Sequence, residues 1–297
     1  MKIAILIIAH KNFEQLVRLV RSLTTKSGNA EVTVYLHIDS DALISLDELA
    51  ARFPDDANVF FIEPRTKLNW GGFSITNLTI NLLNTAVNHT RHDYYCLISG
   101  MDFPLRPIED LANYLLLNNG KEYIECFPMP DKMGLEGNGG MDRIDYYWLV
   151  DDIGIKKSEA FVAAQAAEKK KRLLPCNLTP FYGSTWFTLT HDCVESILSK
   201  LSKYPAILEF FRYTYISDEL LIPTLVMNSS FADKVQHNNL RYINWTDGPE
   251  WPRVFRKENF DELVSCGSFF ARKFDEKTDS DIIDRLEVFI NQHLAIT

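Results

Sequence analysis

Near the end of the chain, Arg272 and Lys273 stand side by side within Phe269-Phe270-Ala271-Arg272-Lys273-Phe274. Apolar neighbours on both sides would hold the segment against a core while the two cationic heads project from it. A planar fork of donors beside a mobile point charge suits a pyrophosphate, and the pair sits in a chain of formal net charge -9. The plainer reading of the same letters is a snorkelling surface pair. Acids are paired too, in Ser217-Asp218-Glu219-Leu220. At a helix start, one carboxylate can cap free N–H groups while the other faces a cleft as general base for a hydroxyl nucleophile. Equally, both can serve only as favourable charges on the helix dipole.

Three predicted strands end in polar residues: His10 after the first, Asp39 after the second, and Ser99-Gly100-Met101-Asp102 after the fourth. Open parallel sheets bind ligands beyond the carboxyl ends of their strands, so these tips could form a nucleoside and sugar pocket. Each residue could instead cap its own turn. Asp39-Ser40-Asp41 also matches an Asp-x-Asp metal pattern. Without a metal, a diphosphate needs organic cations, for which Arg272, Lys273 and Arg253 are available. Trp70-Gly71-Gly72, Gly183-Ser184-Thr185-Trp186 and Trp245 pair indoles with small residues. Flat aromatic faces suit sugar C–H surfaces, and glycine permits close backbone approach; core packing is the alternative fate of each Trp.

The elements that must position these residues are legible as periodic patterns. Lys2–Ile8, Val32–Ile38, Asn58–Ile62 and Tyr94–Ile98 read as strands buried on both faces. A helix capped by Asn12 follows the first strand, and Ser74–Val87 is a second helix. Strand and helix alternate as in a doubly wound parallel sheet. Further on, Tyr123–Phe127 and Phe187–Leu189 read as strands and Gly134–Gly140 as a mobile loop. Asp192–Leu201, Ser217–Met227, Phe260–Val264 and Asp279–His293 read as helices. Within these, Ser217 is a candidate N-cap and Pro223 predicts a kink. The expected organisation is a single α/β domain over 1–297, with a nucleotide-binding half over 1–120 and an acceptor-side, catalytic half over 121–297.

At 297 residues, with 46% hydrophobic and 24% charged residues, the composition is that of a globular domain. Acidic balance argues against a nucleic-acid partner. The basic run Lys169-Lys170-Lys171-Arg172 follows an alanine-rich stretch and reads as a solvated helix end. Five scattered cysteines form no CxxC pair, so neither a disulfide framework nor a zinc site is expected, and Cys96 reads as a buried small hydrophobe. No apolar segment is long enough to span a bilayer. A cytoplasmic location is expected, with peripheral membrane contact left open.

Ordered along the chain, Ala9-His10-Lys11, His37-Ile38-Asp39, Asn69-Trp70-Gly71-Gly72, Leu97–Leu105, Gly183–Phe187, Ser217-Asp218-Glu219, Leu240–Trp245 and Phe270–Phe274 resemble the core-2/I-branching glycosyltransferase family. That family holds branching N-acetylglucosaminyltransferases and peptide O-xylosyltransferases. The resemblance implies a GT-A-type nucleotide-sugar fold and inverting transfer from a UDP-sugar to a glycan or lipid-linked acceptor, with no metal cofactor. It implies Glu219 as catalytic base, with Arg272, Lys273 and Arg253 on the diphosphate and His10 and Asp39 on the nucleotide side. Trp70, Asp102, Gly183, Ser184, Trp186, Asp218 and Trp245 fall in segments that line the donor-sugar and acceptor pocket, whereas Glu125 and Arg143 lie in a diverged stretch. The absence of the animal members' anchor and lumenal disulfides suggests a bacterial member acting on surface-polysaccharide precursors. Two readings stay open beside it: a metal-dependent GT-A transferase using Asp39 and Asp41, and a non-catalytic carbohydrate-binding protein on the same fold.

Overall fold

A computed structural model of the protein describes residues 1–25, 28–248 and 250–294. The chain divides into two compact units, each discontinuous in sequence. One comprises Met1–Arg65, Arg91–Lys121 and Asn238–Thr297; the other comprises Thr66–Thr90 and Glu122–His237. The strands among the described residues are β1 (Lys2–Ala9), β2 (Glu31–Ile38), β3 (Val59–Phe61), β4 (Tyr94–Ser99), β5 (Asp102–Pro104), β6 (Tyr123–Pro128), β7 (Phe181–Thr190), β8 (Arg241–Ile243) and β9 (Phe270–Arg272).

In the first unit, β1 lies between β2 and β4 and β2 pairs with β3, every pairing parallel. The unbroken apolar run Ile3–Ile7 is fully buried, as a strand covered on both faces requires. Helix Phe13–Thr24 turns Leu16, Leu19, Val20 and Leu23 inward at helical spacing. Register then decides what emerges at the sheet's carboxyl edge. Ala9 is level with Ile38, and Ile8 with Ser99. The ladder continues one step further, Asp39 N–H donating to the Ala9 carbonyl (2.8 Å) and Gly100 N–H to that of Ile8 (2.9 Å). His10, Asp39 and the 99–102 turn therefore leave the sheet side by side. A second small sheet follows, with β5 antiparallel to β9 and β9 parallel to β8, setting Asp102 opposite Arg272.

In the second unit, β6 and β7 are antiparallel, with a bulge between Ile124 and Cys126. Helices Phe73–His89, His191–Lys203 and Leu221–Met227 supply its helical layer. Strand β7 is longer than the expected Phe187–Leu189, because Phe181–Trp186 pairs past the bulge despite its mixed polarity. The Gly134–Gly140 segment turns through left-handed backbone at Gly137 (φ 65°) and Asn138 (φ 57°).

Four local expectations need correction. Asn12 holds the residue before its helix but sits at φ 56°, and its amide reaches Met101 Sδ and Asp275 Oδ1 instead of capping. Ser217 caps nothing: the expected helix is a 3₁₀ turn, Ser217–Glu219, followed by helix Leu221–Met227. Pro223 lies in that helix's first turn, where a missing N–H costs no intrahelical bond, so no kink is needed. Arg172 is not part of a solvated helix end. Its guanidinium donates to the carbonyls of Tyr146, Tyr213 and Phe210 and lies over the Tyr147 and Phe210 rings. Burial lowers its pKa to about 10.

Candidate functional site

The site residues expected from the sequence are shared between the two units. His10, Asp39, Asp102, Trp245, Arg253, Arg272 and Lys273 belong to the first; Trp70, Gly183, Ser184, Trp186, Asp218 and Glu219 belong to the second.

In the first unit, the aromatic clamp behaves as its composition demands. Phe269, Phe270, Ala271 and Phe274 are buried, so β9 is seated in the core and delivers Arg272 and Lys273 at its end. Asp102 is wholly buried beneath them. It accepts Ser99 N–H at 2.7 Å and Arg241 Nε at 2.5 Å, while Arg272 Nη1 meets Asp102 Oδ2 at 3.4 Å and also the Ser99 hydroxyl. Arg241, itself only 1% exposed, also donates to the Leu97 carbonyl at 3.0 Å. Asp102 thus fixes two guanidiniums from below, and fully buried it has no surface to offer a sugar. Gln15 ties the same floor together, donating to Gly100 O (2.9 Å) and Phe274 O (3.2 Å) and accepting Glu276 N–H (2.9 Å).

His10 feels the charges of Lys11, Asp39, Arg272 and Asp275, which places these groups around one another. Partial burial first, and then Lys11, lower its pKa, so it is neutral at pH 7 and can both donate and accept. Burial first, then Arg272 and Lys11, lower that of Lys273. Lys273 forms no ion pair among the described residues. Arg253 faces Asp247 at 3.2 Å and Glu262 at 3.8 Å, so its charge is largely met within the protein. Asp39 Oδ1 accepts the Asp41 N–H at 2.8 Å, while Arg65 braces this loop through the carbonyls of Ile38, Asp39, Ala42 and Ile44. Trp245 is mostly exposed in the loop after β8.

In the second unit, Glu219 ends the 3₁₀ turn Ser217–Glu219. Ile216, just before it, sits at φ 51°, a conformation that β-branched residues avoid and that costs about 1–3 kcal/mol. Surrounding ties hold it there. Ile216 N–H donates to the Gly71 carbonyl (2.9 Å), Ser217 and Thr76 share a hydroxyl bond (2.7 Å), and Thr185 Oγ1 donates to Asp218 Oδ2 (2.8 Å). Glu219 Oε2 accepts from Arg143 Nη1 at 3.0 Å. Burial, then the neighbouring Asp218, push the Glu219 carboxyl above its ordinary range, and Arg143 pulls it partly back. Asp218 is also pushed up by burial; its Oδ1 is out of solvent with no hydrogen-bond partner among the described residues.

Around this turn, Trp148 stacks on Tyr215 at 4.3 Å, and the exposed Trp70 meets Tyr215 edge-on at 6.1 Å. Gly71, at φ +76°, lies against the same tyrosine, and a Cβ there would come within 2.7 Å of its ring. Gly183 needs its missing side chain for another reason than sugar approach: a Cβ would fall 1.7 Å from the Glu125 carbonyl at the bulge. Ser184 Oγ accepts the Trp186 N–H at 3.0 Å. Tyr182 donates to Asp131 at 2.6 Å, and burial and that acid raise its pKa to about 12. A cleft of about 550 Å³ in the unit is lined by Asn69, Phe73, Trp148, Asp151, Arg212 and Tyr213 among others.

Sequence reasoning passed over Arg241 and Gln15, whose roles come only from distant partners. It named Arg143 only as a doubtful acceptor contact. The one available signal for Arg143 was a cation in a region otherwise poor in positive charge.

The core-2/I-branching enzyme family model matches residues 3–264. Xylosyltransferase 2 of Rattus norvegicus is 23% identical over 311 residues, covering 96% of this chain and 33% of that protein. Xylosyltransferase sqv-6 of Caenorhabditis elegans is 25% identical over 279 residues, covering 86% and 32%. The chain spans about a third of the length of these curated relatives. Among solved structures, the apo WbbM bifunctional glycosyltransferase aligns over 98% of this chain and 51% of its own, with a TM-score of 0.45 and 11% identity. No helix among the described residues is long and apolar enough to cross a membrane.

Proposed function

From the premise that this chain belongs to the core-2/I-branching enzyme family, we propose that it is an inverting, metal-independent glycosyltransferase using a UDP-sugar. The donor sugar is N-acetylglucosamine or xylose, and the acceptor is a hydroxyl of a glycan or lipid-linked saccharide, in the synthesis of a surface polysaccharide. The observation that carries this reading is the Glu219 turn. A carboxylate is held on a strained, tied-down segment, with a pKa raised toward working pH and one cation to orient it.

Each part of the chemistry then has an owner. Glu219 takes the proton of the acceptor hydroxyl as that oxygen bonds to the anomeric carbon. The bond from that carbon to the UDP oxygen breaks on the opposite face, inverting the centre. Lys273 and Arg272 stabilise the charge that collects on the departing diphosphate, which is electrostatic work that needs fixed cations more than covalent chemistry. Asp39 and the neutral His10 face the nucleoside. Arg253, already met by two acids, contributes a weaker field. Exposed Trp70 and Trp245 offer ring faces to sugars.

A panel of UDP-sugars tests this reading, first by thermal stabilisation and then by slow hydrolysis and transfer, each with and without chelator. UDP-N-acetylglucosamine or UDP-xylose should stabilise the protein and turn over in chelator. Strict manganese dependence would move the chemistry to Asp39 and Asp41. Failure of every UDP-sugar to bind would leave only a carbohydrate-binding role.

A further inference from the structure

The cations of the first unit differ sharply in how firmly they are committed. Arg241 and Asp102 form a pair that is almost entirely out of solvent, and Arg272 is bonded into the same floor. Neither guanidinium can leave without stranding a buried charge. Lys11, the residue after His10, is different. Its Nζ meets Asp275 Oδ2 at 2.8 Å, but the lysine is 43% exposed and its stem is flexible. The acid is 15% exposed, so only the lysine end of the pair is free to exchange with a solvent-side partner.

Asp275 has partners besides that lysine. Its other oxygen accepts Asn12 Nδ2 at 2.9 Å and the Lys277 N–H at 3.1 Å, so it keeps hydrogen bonds when Lys11 swings away. Lys11 is also close enough to Lys273 and His10 for its charge to be felt at both. Two residues past β1, it is thus an exchangeable cation whose charge is felt at Lys273, which has no ion pair among the described residues.

Resting on the UDP-sugar reading above, we propose that Lys11 is a further diphosphate-binding residue, exchanging between Asp275 and the phosphate oxygens of the nucleotide. Binding then swaps one carboxylate for a more highly charged anion, and Asp275 sets how much affinity the swap yields.

Calorimetric titration of the full chain with UDP and with uridine tests this. Lys11→Ala should weaken UDP by about tenfold, the typical worth of one charge-assisted contact, and leave uridine unchanged. Lys11→Arg should restore most of the loss, which also shows that the fold is intact. Lys277→Ala removes the same unit of charge from an exposed neighbour and should leave UDP affinity unaltered. Asp275→Asn should tighten UDP by a few-fold. Equal UDP affinity in Lys11→Ala and wild type overturns the proposal and leaves the nucleotide reading standing. Equal losses for UDP and uridine also overturn it, by moving Lys11 to the nucleoside. If wild-type protein takes up no UDP, the nucleotide reading itself fails and this proposal with it.

Discussion

In the first unit, Arg272 meets Ser99 and Asp102, Arg241 meets Asp102, and Arg253 meets Asp247 and Glu262. In the second, Glu219 meets a single cation, and Asp218 forms no ion pair among the described residues. The first unit surrounds these arginines with counter-charges and hydrogen bonds; the second leaves two adjacent acids underpaired in one turn. Guanidiniums fixed in this way are suited to a permanent anion. Acids left underpaired have raised pKa values, which is what a group that must accept and release protons requires. On the transferase reading proposed above, fixed cations suit a departing diphosphate and underpaired acids suit proton transfer.

The most severe way to break that contrast is Glu219→Gln. The change keeps the shape and removes only the capacity to take a proton. Transfer should fall by roughly two to four orders of magnitude while UDP affinity, measured by calorimetry, stays within about twofold. A Gln variant with near-normal turnover removes Glu219 from the proton step. Next in size is Arg241→Met, which leaves Asp102 buried with one guanidinium fewer. Losing one partner of a buried pair costs about 3–5 kcal/mol, and the remaining Arg272 contact should keep the loss near the lower end. Urea denaturation reads it; a loss below about 1 kcal/mol would mean that the floor under Arg272 is not the anchor described.

How much of this could be read beforehand follows from the range of the interactions. The parallel strands declare themselves because a strand buried on both faces must be a continuous apolar run, and Ile3–Ala9 is one. The Arg272-Lys273 segment and the Asp218-Glu219 turn are legible because their unusual letters are adjacent. Arg241 is not, because its meaning lies in an acid 139 residues away. The tie between Thr185 and Asp218 spans 33 residues and follows no period. Arg172 misleads outright. It closes a basic run typical of a solvated surface, yet its guanidinium turns inward to carbonyls that only the fold brings together. Pro223 misleads in the opposite sense, since the 3₁₀ turn ahead of it moves the helix start.

A finer test acts on pH. Arg143 lowers the Glu219 pKa by charge and by hydrogen bond. In Arg143→Met that pull is lost, Glu219 holds its proton to higher pH, and the acidic limb of the kcat/KM profile should move up. Activity should fall most at the acid end and recover toward alkaline pH. An unmoved limb would assign the profile to another group.

The smallest expected effect is on stability, and it probes the underpaired acid directly. Burial raises the Asp218 pKa in the folded chain, so the native state holds that proton more tightly than the unfolded one. The sign follows from proton linkage: stability is lost as pH rises from the ordinary carboxylate range toward the raised value. At pH 7 the wild-type protein therefore carries a penalty that Asp218→Asn lacks, while the amide oxygen still accepts from Thr185. The variant should melt about 2–4 °C higher at pH 7, the shift that roughly 1 kcal/mol produces in a domain of moderate size. The gain should shrink as pH falls toward 4, where the wild-type carboxyl is protonated as well. A lower melting temperature, or a gain independent of pH, would mean that the Asp218 carboxylate is satisfied after all, and the two units would then treat charge alike.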